Sequence, residues 1–385
     1  MRNYFIIITT ILTFAVLQFN KAKSQTSLPL IKNFSPEDYS GGIQNWDIQQ
    51  DKNGVIYIAN NFGLLQFDGN TWRTYVISSA SKLRSIALHS DGRIFAGCQG
   101  DFGYFKSDSI GILKYHSLKN LIPQEFREID ETWKVYYIND KVYFCTFSNI
   151  YIYDGKSIAV IESKETLDVA HVTSNVLYPH IPGIGLHQLN PNALELIPNG
   201  AFFKDKYISS VVTSIHNDLL VSTTRHGVFK VNNNSVAPWS KELNKLFEST
   251  FINCAIVLKN GDIAFGTQHQ GVYIVGQNGE IKLQIDKENG LNSRTILSLY
   301  EDQNNNLWVG ENNGISFIEL KSPFRLLNEK GGLQGTGYAA IIDNNKLLLG
   351  TNNGVYFNDS EKWYQIEGTE GQVYNLQRIN NEILM

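Results

Sequence analysis

The chain has 385 residues, 42% hydrophobic and 12% aromatic, with a formal net charge of −4 at pH 7. That allows one or two large domains with a well-filled core and argues against a nucleic-acid surface. Three cysteines, Cys98, Cys145 and Cys254, lie in apolar contexts (FAGCQG, VYFCTF, INCAIV), so they read as small core residues rather than a disulfide framework or a zinc site.

Met1 to Gln25 carries Arg2, an apolar run from Tyr4 to Phe19, then Lys21 and Lys23. This reads as a secretory signal peptide, the run being short of the ~20 apolar residues that a spanning helix needs. The mature chain is therefore expected outside the cytoplasm, in the periplasm. Leu28 to Phe34 reads as an outer strand preceding Gly41, Gly42 and an inner strand from Trp46 to Gln50.

From there a unit recurs. A turn ending in Gly and an apolar residue appears at Gly63, Gly103, Gly185, Gly227, Gly271, Gly314 and Gly354, with Asn149 in the Gly place once, at spacings from 36 to 46 residues. The cleanest copy, Ile296 to Leu320 (ILSLYEDQNNNLWVGENNGISFIEL), holds three apolar runs separated by Asn- and Gly-rich turns. Val, Ile, Trp and Phe suit pleated surface, and Asn and Gly accept the backbone of tight turns. No helical periodicity of ten or more residues occurs inside a repeat, so the period of about 42 residues points to a β-propeller rather than a helical solenoid.

The fold class expected is all-β: four-stranded blades, seven in a first ring closed by the N-terminal strand, plus the start of a second ring opened by Pro323. The organisation expected is 1–25 signal peptide, 27–320 seven-bladed propeller and 321–385 first blades of a second, truncated propeller. Asp168 to Ile197, with Pro179, Pro182 and Pro191, is the most degenerate repeat, because proline cannot donate to a sheet ladder. Asn120 to Glu131 and Ser240 to Phe247 read as short helices on connections. Gln372 to Met385 stops mid-blade, which reads as an N-terminal fragment of a longer protein.

Propellers offer ligands the mouth of the central channel, where the loops entering each innermost strand meet the loops between the second and third strands. Here those loops carry Ser81, Arg84, Thr132, Trp133, His171 and Asn292 to Arg294, and Gln99 to Phe102, Arg225, His226, Gln268 to Gln270 and Glu311 to Asn313. Six are larger or more interactive than a turn requires: Arg84, Trp133, Arg225, His226, His269 and Arg294. Aromatic faces and forked donors suit a polar, ring-shaped ligand such as an oligosaccharide. The plainer alternative is that each is a solvated turn residue. His226 and His269, in equivalent turns, lack a third ligand or a nucleophile. Asp302, Asn304 and Asn306 mimic a calcium loop but lack the later glutamate, so turn chemistry is the reading there. No catalytic residue, metal or cofactor is assigned.

The unit DQNNNLWVGENNGI at Asp302 to Ile315, echoed by NKLLLGTNNGVYF and DKNGVIYIANNFGLLQFDG, resembles the two-component-regulator propeller repeat. With the opening NFSPEDYSGGIQNWDIQQD and GLQGTGYAAIIDNNKLLLGT, the chain looks like the periplasmic sensor of regulators carrying two propellers, a three-tyrosine β-sandwich, a membrane helix and a cytoplasmic output. The resemblance implies a histidine-kinase or LuxR-type helix-turn-helix output, a non-catalytic sensing segment, an inner-membrane anchor and a homodimer in the full-length protein. Its partner would be a small-molecule or oligosaccharide ligand, or a periplasmic binding partner, with no nucleic acid bound by this segment. A secreted polysaccharide lyase or glycosidase, or a protein-binding scaffold, is the alternative.

Overall fold

The computed structural model describes residues 27–77, 82–191, 193–327, 332–359, 362–380 and 382–385; the signal-peptide reading and Ser81 lie outside them. Two compact units result: Leu30–Pro323, and a smaller one built from Phe324–Met385 with the segment up to Pro29. No helix among the described residues is long and apolar enough to cross a membrane.

The larger unit is a seven-bladed propeller. Five blades are runs of four antiparallel strands in chain order: for instance Asn45–Gln50, Ile56–Asn60, Gly63–Phe67 and Trp72–Tyr75 in blade 1, and Ile252–Val257, Ile263–Thr267, Val272–Val275 and Ile281–Ile285 in blade 6. Blade 7 takes Ile296–Glu301, Leu307–Glu311 and Ile315–Glu319 from the end of the ring and Leu30–Phe34 from its start, with Leu30 opposite Glu319 and Phe34 opposite Ile315. Leu28, expected in the same strand, instead bridges Leu326 in the smaller unit. The innermost strands of blades 7 and 1 lie against each other, as do those of 1 and 2, closing the circle.

Two local devices explain why the repeat reads as it does. The hairpin aspartates fold their own turns: Asp302 Oδ1 accepts from the backbone N–H of Asn304 (2.8 Å) and Asn306 (2.9 Å), and Asp51 Oδ1 does the same for Asn53 and Val55. The calcium-like pattern is therefore turn chemistry. The repeated glycine marks a close approach of backbones. A Cβ on Gly271 would stand 2.1 Å from the Ile285 carbonyl oxygen, and one on Gly63 2.2 Å from that of Tyr75. Positive φ at both positions adds to the demand for glycine.

Blade 4 is a distorted blade with no insertion. Its second strand is split into Val176–Tyr178 and His180–Ile181, and Pro179, which has no N–H to give, contributes only its carbonyl, which accepts from His187 N–H at 2.8 Å. Ser240 caps an α-helix, Lys241–Thr250, its Oγ accepting from Leu243 N–H at 3.3 Å. The helix expected over 120–131 is instead two 3-10 turns, Lys119–Leu121 and Gln124–Phe126. The smaller unit holds one four-stranded sheet, Gly337–Asp343 to Lys362–Gln365, and a hairpin of Gln377–Ile379 with Glu382–Leu384.

Blade closure also fixes a protonation state. Asn33 Nδ2 donates to the Gly290 carbonyl at 2.8 Å, so its Oδ1, 2.6 Å from Ser316 Oγ, takes the serine's one proton. The short contact between Ser316 Oγ and the fully buried Glu311 must then be donated by Glu311, as a carboxylic acid. Burial pushes the Glu311 carboxyl up to about 8 against the lowering effect of its hydrogen bonds. A folded-state value raised from 4.5 to about 8 means stability that is fully present below pH 4.5 and is lost as pH rises through 8, by about 5 kcal/mol at most. Thermal melts across that range should show the decline, and Glu311→Gln, which keeps a donor and cannot ionise, should flatten it. Equal slopes in the two proteins would refute the assignment.

Candidate ligand channel

The seven innermost strands run the same way around the axis, so their first residues gather at one mouth. The loops between second and third strands reach the same mouth and bond to those entry segments: Asn61 N–H to the Gln44 carbonyl (3.3 Å), Thr224 N–H to Tyr207 (2.9 Å), Asn312 N–H to Thr295 (3.0 Å). Inside lies a cavity of about 920 Å³ walled by inner-strand residues from all seven blades, among them Trp46, Arg84, Lys134, His171, Ser210, Cys254 and Ser298.

Arg84 and Trp133 come together. Arg84, 7% exposed, lies with its guanidinium carbon 4.3 Å from the ring centre of Trp46 and 4.5 Å from that of Trp133, and its Nε donates to Glu131 Oε1 at 2.5 Å. The two indoles meet edge-on at 5.7 Å, and Trp46 Nε1 donates to Asn61 Oδ1 at 2.8 Å. A guanidinium held between aromatic faces and fixed by a carboxylate is a rigid group presented to the cavity.

Arg225 and His269 form a second cluster through Phe251. The guanidinium of Arg225 lies 4.7 Å from the Phe251 ring centre, and the His269 ring 5.2 Å from it. Phe251 itself adopts φ 55°, unusual for a residue with a Cβ, at the end of the Lys241–Thr250 helix. His226 and His269 do occupy equivalent turns, and within them the counterpart of His269 is Arg225. Thr223 and Thr267 accept from the N–H of His226 and Gln270 respectively, which fixes that register. His226 is exposed beside this cluster. Arg294, also exposed, pairs with Glu288 and lines a separate shallow depression with Asn292 and Asn313.

Trp46, Lys134 and Phe251 are the site residues that sequence reasoning missed. All three stand at the start of an innermost strand, and registering the repeats on that strand rather than on the glycine turn would have found them. His171 lines the channel as a neutral imidazole, held down to about 4 by burial and then by the positive charge of Lys134. Cys254, expected in the core, is half-buried in the channel wall; its thiol is pushed up to about 12 by burial and is unreactive at neutral pH. The three cysteines are free. Among the described residues no group of three or more His, Cys, Asp or Glu is placed to hold a metal.

Residues 290–313 match the family model described as two component regulator propeller. Among solved structures, an extracellular domain described as belonging to a hybrid two component system of B. thetaiotaomicron is 18% identical with a TM-score of 0.70, over 91% of this chain and 51% of that one. A second such domain from the same organism is 15% identical, TM-score 0.62, over 92% and 51%. The chain thus spans about half the length of these domains. A virginiamycin B lyase from Staphylococcus aureus is 11% identical, TM-score 0.58, over 76% of this chain and 99% of that one. At these identities the likeness is one of fold. No curated protein matches the chain.

Proposed function

We propose that the ring is the extracytoplasmic, non-catalytic sensing domain of a membrane-spanning signal-transduction or transcription regulator that responds to a glycan or other nutrient. The observation that carries this reading is the channel mouth, where Arg84 is held between Trp46 and Trp133 over a large cavity. Flat aromatic and guanidinium faces with few convergent polar groups suit a ring-shaped, hydroxylated ligand. The regulator repeat at 290–313 and the fold shared with extracellular domains of hybrid two component systems support it. On this reading residues 1–25 are a signal peptide, 27–320 the sensor and 321–385 the opening of a second propeller; the full-length protein is an inner-membrane-anchored homodimer. Of the six candidate residues, Arg84, Trp133 and His269 line the cavity and contact the ligand on this reading, with Arg225 and His226 beside His269, whereas Arg294 belongs to the separate depression with Glu288.

The fold shared with a lyase keeps an enzyme as the rival. A buried histidine beside a carboxylate is present in blade 4, but both ring nitrogens of His180 are engaged, Nδ1 3.4 Å from Asp168 and Nε2 2.9 Å from the Phe203 carbonyl, leaving neither for a substrate proton. A calorimetric screen of oligosaccharides against the purified chain should find a ligand that is bound and recovered intact. Trp133→Ala should weaken that binding about tenfold or more, ~1.4 kcal/mol. Cleavage of the bound oligosaccharide would establish the enzyme instead.

A further inference from the structure

The polar groups of the channel are unevenly matched. Its carboxylates are served by the protein's own donors. Asp47 accepts from Ser85 Oγ at 2.6 Å and from the N–H groups of Ile48 (2.9 Å) and Ile86 (3.1 Å). Asp168 accepts from Val169 N–H at 2.8 Å and faces His180, and Glu131 holds Arg84 Nε. The donors are left over. Arg84 Nη1 and Trp133 Nε1 are buried with no hydrogen-bond partner among the described residues. The Lys134 ammonium, in the same wall, has no ion pair or hydrogen bond among them either. Leaving a buried cationic donor unmatched costs about 1–3 kcal/mol or more, which a ligand supplying acceptor oxygens recovers.

Building on the sensing reading above, we propose that the ligand is an organic acid whose single carboxylate, carried on a ring-shaped body, is taken in the channel by Arg84 Nη1, Trp133 Nε1 and Lys134. Arg84 already has Glu131 as counter-ion, so Lys134 is the cation that lacks one; that matches a single negative charge. A dianion would also face Asp47 and Asp168 across the same cavity. A cavity of about 920 Å³ leaves room for a body of one or two sugar rings behind the carboxylate. Within the glycan class the ligand is thus an acidic sugar, a uronate.

The test is a calorimetric titration of the purified chain with glucuronate, galacturonate and mannuronate, each paired with its neutral parent sugar. At least one uronate is expected to bind about tenfold or more tighter than its parent, with an affinity that falls as salt is raised. Lys134→Gln should collapse that preference to less than about threefold without lowering the melting temperature of the unliganded chain, because Lys134 has no partner to lose. Equal binding of acid and neutral sugar, indifferent to Lys134→Gln, would overturn the carboxylate site and leave the sensing reading standing. Binding by none of the six would also overturn it, and the oligosaccharide screen then judges the sensing reading separately.

Discussion

Deleting Leu30–Phe34 is expected to open the ring, lower its melting temperature by ~10 °C or more and make it self-associate. The strand supplies the fourth member of blade 7, and without it Ile315–Glu319 presents an unpaired row of N–H and C=O groups to solvent. Phe34 leaves a cluster in which it stacks on Trp308 at 6.0 Å, contacts Phe67 at 5.4 Å and meets Trp72 edge-on at 5.2 Å. Removing one such aromatic costs ~3–5 kcal/mol on its own, before the lost ladder and the Asn33 bond to Ser316 are counted. Calorimetry with light scattering reads both effects. A synthetic LPLIKNF peptide should restore the monomer and part of the lost melting temperature. A deleted chain that stays monomeric with an unchanged melt would show that blade 7 does not depend on its N-terminal strand.

Trp308→Ala should cost ~4 kcal/mol, the largest loss expected from a single side chain in the ring. The indole is 5% exposed, packs against Phe34, Phe67 and Phe317, and donates from Nε1 to Asp302 Oδ2 at 3.3 Å, tying the hairpin turn to the blade interface. Trp308→Phe keeps most of the packing and loses the hydrogen bond, so it should cost ~1 kcal/mol. Because Trp308 and Phe34 share a contact, the losses from Trp308→Ala and Phe34→Ala should sum to more than the double variant loses. Denaturant titrations of the four proteins give the coupling directly; strict additivity would mean the two rings do not support each other.

The architecture was legible because its causes are local. The hairpin aspartates Asp51 and Asp302 fold their own turns, repeat glycines such as Gly63 and Gly271 answer a carbonyl that no side chain can approach, and both leave marks a few residues apart in the text. The N-terminal closing strand was legible too, since the repeat begins with an outer strand. The channel was legible only in part. Arg84, Trp133, Arg225 and His269 were visible as residues too large for their turns. Trp46 and Lys134 were not, because each looks like an ordinary strand residue until blades are brought around the axis. The clusters Trp46–Arg84–Trp133 and Arg225–Phe251–His269 each join neighbouring blades or their connections, and spacing within one repeat does not encode them. Glu311 was visible only as a turn residue; its protonation follows from the direction of the Asn33 amide, across a sequence separation of 278 residues.

The pairing of Leu30 with Glu319 has a mechanical consequence. The chain enters and leaves the ring at adjacent points, so tension applied between those points is carried by the Leu30–Glu319 end of the ladder alone. It would peel Leu30–Phe34 away one rung at a time, like a zip, rather than shear all five at once. The ring should therefore yield at low force when pulled from its ends, yet resist a load applied anywhere around its rim. Its entry point is a fuse, and the rest of the blade wall is built to stay shut.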